Sequence, residues 1–212
     1  MALFRRKKKA QPPQANEIQD LDWVSLARSF GDDDAAAFMQ AFQSEPDTVR
    51  DWVDAIEAGT WKRVESGAFV VHTGEDMRDV TEQFYYFDDV WEGTPAAMLT
   101  GLRIALGKGR HLIELDWKAE FIDTVSWFDR LLVGSGLASL SPEDVRRIEA
   151  VQGDEGIEDL QDEMGRLTTE RNAALFLFDI DSDSYVFAIC DPSERAQWDG
   201  STQPGVLKLR AI

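Results

Sequence analysis

The sequence predicts an α+β fold: N-terminal helices, a mixed middle, and a small, mostly antiparallel sheet with a C-terminal hairpin. Three observations predict it. Apolar residues recur at helical spacing in three successive segments between Trp23 and Ile56. Two apolar runs, Ala173–Ile180 and Tyr185–Cys190, flank the turn residues Asp181, Ser182 and Asp183, which reads as a hairpin. Between these regions strand-like and helix-like segments do not alternate regularly, which argues against a parallel sheet of βαβ units.

Each element has its own residues. Trp23, Leu26, Ala27 and Phe30 make one helical face, and Gly31 supplies the stop. Asp34 caps a second helix carrying Ala35, Phe38, Met39 and Phe42. Pro46 opens a third, with Val49, Trp52, Val53 and Ile56 on its apolar side and Gly59 at its end. Ala68–His72 and Gln83–Phe87 have strand character, with a helix the alternative for the second. Thr94 and Pro95 start a helix whose apolar face is Met98, Leu102, Ala105 and Leu106, stopped by Gly107. His111–Trp117 reads as a strand. A helix from Ala119 to Val133 follows, striped by Phe121, Val125, Phe128 and Leu132. Ser141-Pro142-Glu143-Asp144 opens another, and Ile157, Leu160, Met164 and Leu167 mark the last long one. Val206–Arg210 adds a final strand.

The 212 residues are 43% hydrophobic and 10% aromatic, enough to bury a core and to exclude wholesale disorder. A single Cys excludes an intramolecular disulfide framework and a CxxC zinc site. Nothing approaches the run of about 18 apolar residues that a membrane span needs. A cytoplasmic protein is expected. Forty acidic against 22 basic residues give a net charge of −18. Such a body repels nucleic-acid phosphates, so no nucleic-acid partner is expected.

Several of the bases sit in one run near the start. Leu3 and Phe4 precede Arg5, Arg6, Lys7, Lys8 and Lys9, and Pro12 and Pro13 stiffen the exit. A secretory leader places its bases before a longer apolar stretch, so export is not expected. Residues 1–15 are expected to be a disordered basic tail, and 16–212 a single domain. A weak hold on an anionic membrane surface is the functional alternative for the tail, and for the tail alone.

Motifs of chemistry are sparse. Gly101–Lys108 has the wrong glycine spacing for a phosphate loop, lies in a predicted helix, and lacks the Ser or Thr that holds magnesium. Asp179, Asp181 and Asp183 have the one-three-five spacing of a calcium loop, yet Ser184 and Cys190 stand where Gly and Glu belong. An acidic hairpin tip accounts for them, with a low-affinity metal site as the alternative. Glu114 and Asp116 share one face of their strand and could divide acid and base roles. His72 and His111 become neighbours if their strands pair, without a metal-ligand pattern around them. Gly134-Ser135-Gly136 is too short to match a serine-nucleophile elbow. Cys190 ends an apolar strand and reads as a buried, inert thiol. No catalytic residue and no cofactor is assigned.

Seven tryptophans are many for this length. Trp127 lies off its helix stripe, and Trp91 and Trp198 lie in irregular, acidic surroundings. Exposed aromatics amid acids suit an interface for a basic protein, so Trp91, Trp127, Trp198, Asp88 and Asp89 are the candidate partner-binding residues. Partly buried edges of the core are the alternative reading.

Two stretches carry a resemblance. Leu112-Ile-Glu-Leu-Asp-Trp-Lys118 with the helix bearing Trp127, Leu131 and Leu132, and Ser182-Asp-Ser-Tyr-Val-Phe187 near the end, resemble a bacterial family catalogued as the domain of unknown function DUF6630. The likeness covers roughly the second half of the chain. It implies a bacterial cytosolic α+β protein and carries no catalytic residue with it. The sequence as a whole has the profile of toxin-neutralising immunity proteins: small, acidic, aromatic-rich and without a catalytic motif, which is an analogy of profile only. The leading functional expectation is a non-enzymatic acidic protein-interaction module. A carboxylate-based metal-binding protein or enzyme, using Asp116 with Asp179, Asp181 and Asp183, is the alternative.

Overall fold

Polar caps and apolar stripes set the local structure. In a computed structural model, residues 21–44, 95–107, 110–153, 156–180 and 183–212 are described. Asp22 caps helix α1 (Trp23–Phe30) by accepting from the Ser25 N–H at 3.0 Å. Asp32 does the same for α2 (Asp33–Ser44), accepting from Ala35 N at 2.9 Å. Pro95 occupies the first turn of α3 (Pro95–Leu106), where its missing N–H costs nothing. Strand β1 (Leu112–Asp116) follows, then α4 (Phe121–Gly134), α5 (Pro142–Val151) and α6 (Ile157–Glu170). The hairpin strands are β2 (Ala174–Asp179) and β3 (Ser184–Cys190). A 3-10 turn (Pro192–Glu194), the short α7 (Arg195–Trp198), and strands β4 (Thr202–Gln203) and β5 (Leu207–Ala211) complete the chain. The helix expected after Pro46, the strands expected at 68–72 and 83–87, and the basic tail lie outside the described residues.

The described residues form an antiparallel sheet in the order β1-β3-β2-β5-β4. This is the α+β architecture with a C-terminal hairpin that the sequence predicts. Leu112 faces Ala188 across β1 and β3, and Phe176 faces the same Ala188 across β2 and β3. Because side chains alternate, each cross-strand pair belongs to one face. One face presents Leu112, Phe176, Phe178, Val186, Ala188 and Leu209 to α1, α2 and α3. The other presents Ile113, Leu115, Leu175, Leu177, Phe187 and Ile189 to α4, α5 and α6. The sheet is thus the middle of three layers. Both faces of β2 and β3 are covered, which is why their sequences run apolar without in-out alternation.

Two details hold the layers in place. Phe30 fits edge-on against Phe176 and Phe178, with ring centroids 5.1 and 5.0 Å away. Gly134 ends α4 directly against the backbone of Arg110, and a Cβ at position 134 would overlap the Arg110 carbonyl. The approach of two main chains this close requires glycine.

Helices α5 and α6 are tied by charge. Ser141 and Asp144 form a capping box at the start of α5. Asp144 also accepts from Arg171 at 2.8 Å, and Arg171 reaches the Leu167, Ala138 and Ser139 carbonyls. Arg147 bonds Glu163 and both carboxylate oxygens of Glu170, each at 2.8 Å. Burial works against ionisation of Asp144, but the Ser141 N–H, the Arg171 guanidinium and the Ser141 hydroxyl outweigh it and hold the carboxyl below its ordinary 3.8. A depressed carboxyl contributes stability that is present above pH 3.8 and is lost as pH falls through the lower folded-state value. Acid titration of the melting temperature should therefore show a shallower acid limb in Asp144→Asn than in the parent. Identical limbs would count against this role.

Candidate functional site

The strands β1 and β2 begin, and β3 ends, at one end of the sheet. Helices α1, α4 and α6 also terminate there, since α4 and α6 run back antiparallel to the strands they precede or follow. The loops leave a cavity of about 270 Å³ between them. Ser29, Phe30 and Gly31 line it from the end of α1, Ser135 and Leu137 from beyond α4, and Asn172 from beyond α6. His111, Ile189, Cys190 and Asp191 line it from the sheet.

His111 is only 8% exposed, and its Nε2 stands 3.5 Å from the Asp32 carboxylate. Arg110 bonds the same Asp32 oxygen at 3.2 Å. Burial opposes ionisation of Asp32, but the Ala35 N–H and the charges of His111 and Arg110 prevail, so its carboxyl lies below the ordinary range. Asp191 has its carboxyl lowered by the Ser193 hydroxyl and N–H and is charged at neutral pH. The Ser135 hydroxyl oxygen is buried and meets no hydrogen-bond partner among the described residues.

Cys190 shares this cavity with His111, but the pair is not built as a nucleophile and base. The thiol is pushed up to about 12, first by burial, then by Glu194 and Asp191, with Arg195 opposing them. At neutral pH it remains protonated, and the thiolate is the reactive form. Ellman's reagent should leave the native chain unlabelled over the time in which the chain in denaturant reacts fully. Rapid native labelling would show a thiol more open than its 4% exposure.

The opposite end of the sheet is different in kind. Trp117, just after β1, is 53% exposed. Its main-chain N–H donates to the Asp183 carbonyl at 3.1 Å, which holds the backbone there beside Asp183. Asp116 and Asp183 are exposed next to it, and Asp116 accepts from Lys118 N at 2.8 Å. The Lys118 ammonium lies 4.6 Å above the Trp117 ring. Tyr185 donates from its hydroxyl to Glu158 at the start of α6, adding a further acid to this end.

The candidate residues from the sequence are distributed unevenly over this frame. Trp198 corrects the expectation of an exposed aromatic in an irregular segment: it is 4% exposed and joins the core around Phe30. Asp191 caps the Pro192–Glu194 turn, which leads into α7 and turns Trp198 inward. The Asp-Pro-Ser-Glu run was the available signal for that helical start. Trp127 is half-buried on the flank of α4, with the Arg130 guanidinium 4.8 Å over its ring. Trp91, Asp88 and Asp89 lie outside the described residues, as do His72 and the tail from Leu3 to Lys9. Asp179 and Asp183 are exposed at the two ends of the hairpin connection, and Asp181 between them lies outside the described residues. Among the described residues no group of three or more His, Cys, Asp or Glu side chains is placed to hold a metal ion.

Glu114 does not pair with Asp116 for acid–base work. It forms an ion pair with Arg103 of α3, while Asp116 serves the turn. Gly101 packs against the Phe42 ring inside α3, and Gly107 ends that helix with φ +65°, so neither belongs to a phosphate loop. No described helix is long and apolar enough to cross a membrane. Ser135 and Asn172 had no sequence signal as cavity residues beyond the helix ends they mark.

No curated protein and no solved structure matches the chain. A family profile described as Domain of unknown function (DUF6630) matches residues 75–200, which takes in β1, the hairpin and both ends of the sheet. That match spans more than half of the sequence, and the chain belongs to the DUF6630 family.

Proposed function

We propose that the chain works in the bacterial cytoplasm as a non-enzymatic, acidic interaction module that receives a basic protein surface. The observation that carries this reading is Trp117, 53% exposed and set beside the exposed carboxylates of Asp116 and Asp183. A large aromatic left in water is costly to keep unless something covers it. Its ring already carries one cation, Lys118, and its main chain is held by the Asp183 carbonyl. An exposed ring flanked by acids is complementary to arginine or lysine side chains. The net charge of −18 draws such a partner in, and Trp117 then anchors it.

The test is capture of host proteins at low and high salt by four baits. These are the parent chain, the chain lacking residues 1–15, Trp117→Ala, and the double variant Asp116→Asn/Asp183→Asn. The reading expects a stoichiometric basic partner that the parent and the truncated chain hold. High salt should weaken that hold, and Trp117→Ala should lose it. A partner held equally well by Trp117→Ala, or one without a basic surface, would overturn the assignment of this face.

A further inference from the structure

We infer that this chain pairs with a second copy of itself through the outer face of α4, the two helices running antiparallel about a two-fold axis. The inference goes beyond the Trp117 reading and does not rest on it.

The apolar part comes first. Ile122 is 66% exposed and Val133 is 55% exposed. Single aliphatics scattered over a surface need no explanation. These two are not scattered. Both lie on α4, close to three full turns apart, so they share one stripe about 16 Å long. Val125, Phe128, Leu131 and Leu132 face the core, and the stripe lies away from them. Between its ends stands the exposed Ser126, small enough to let a second helix approach to about 8–10 Å.

The charges come next. The chain as a whole carries −18, which sets one copy against another. The outer face of α4 is spared that excess. Its exposed charges are Asp123 and Arg130, which cancel. Asp129 is turned to the following loop, where it accepts from the Ser139 hydroxyl and the Leu140 N–H, each at 2.6 Å. The Arg130 guanidinium lies 4.8 Å from the centroid of the Trp127 ring, which keeps it on that flank.

The two-fold follows from the spacing. The middle of the stripe falls between Trp127 and Phe128, with Ile122 and Val133 equally far from it on opposite sides. An antiparallel copy centred there sets Ile122 against Val133 twice. Asp123 and Arg130 also lie on opposite sides of that middle, and both sit roughly 80–100° round the helix from Ile122. A two-fold perpendicular to the helices keeps each flank on its own side. Asp123 of one copy therefore comes within about 3 Å of level with Arg130 of the other, also twice. The face is complementary to itself, which is what an isologous pair requires. A single pair of helices this short buries less than the roughly 1,000 Å² of a lasting interface, so the dimer is a weak one.

The experiment is sedimentation of the full chain over a roughly hundredfold range of concentration reaching about 1 mM. At an ionic strength of about 0.15 M the general repulsion is screened beyond about 8 Å. The expected mass rises from one copy to two and then levels, with its midpoint on the order of 100 µM. Ile122→Asp should keep the chain monomeric. Asp123→Arg and Arg130→Asp should each weaken pairing roughly tenfold, and the two together should restore it. All three positions are exposed, so the core is untouched, and the parent series needs no variant to fold. A monomer at every concentration would overturn the inference, and a mass climbing past two copies would overturn the closed two-fold. A dimer that Ile122→Asp leaves intact, or that the double charge reversal fails to restore, would overturn the assignment of this face.

Discussion

Replacing Phe30 with alanine should lower the unfolding free energy by about 3–5 kcal/mol. Phe30 is 1% exposed and lies at the meeting of α1 with β2. Its ring meets Phe176 at 82° and Phe178 at 89°, and Trp198 at 6.4 Å. Truncation removes the transfer energy of a benzyl group and the edge-to-face contacts with two rings. It also opens a void beside an existing cavity that Phe30 helps to line. The surrounding rings are held by a covered sheet and can relax only in part. Denaturant titration would measure the change as a shifted midpoint at constant slope. A cost under about 1 kcal/mol would mean that α1 is not docked on the sheet in this way.

Gly134→Ala should destabilise by about 2–3 kcal/mol, against the ordinary sign for a helix. In an unobstructed helical position alanine is more stable than glycine by about 0.5–1 kcal/mol. Here the added methyl would overlap the Arg110 carbonyl, which is main chain and cannot swing aside. Arg110 precedes His111 and β1, so either α4 retreats or the strand entry moves. A neutral or stabilising result would show that α4 ends further from Arg110. Gly136, where a methyl would meet nothing, makes a poor control because its φ is +76°. Ser135→Ala keeps the backbone and is the better comparison.

Local signals were readable wherever a few neighbouring residues decide the outcome. The stripes Trp23–Phe30 and Phe121–Leu132, the Ser141–Asp144 cap and the hairpin strands on either side of residues 181–182 all follow from short-range chemistry. The three-layer arrangement was harder to read. An almost wholly apolar run such as Ala173–Ile180 is the mark of a strand covered on both sides, yet periodicity alone does not say by what. Trp198 was misread because its exposure was inferred from acidic neighbours, while a four-residue helix turns it inward. The cavity was illegible for a plainer reason. Ser29, His111, Ser135, Asn172 and Cys190 are far apart in the chain, and only the packing of three helix ends on one end of the sheet brings them together. Trp117 was placed at the end of a strand. The strand stops at Asp116, one residue earlier, and so leaves it outside.

The double covering of the hairpin has a consequence for its register. A strand wet on one side is kept in place by polarity, because a slip of one residue would drown its polar side and expose its apolar one. That discipline is missing between β2 and β3, where either side is greasy. Volume takes over the task. On one face Phe176 is opposed by Ala188 and Phe178 by Val186, large against small, with Phe30 filling the space above. On the other, Leu177 is opposed by Phe187. Sliding either strand by one position would crowd Phe187 onto the side already holding two phenylalanines and leave a gap behind it. The hairpin is kept in step by the sizes of its side chains, as teeth of unequal width keep a zip from closing one notch out.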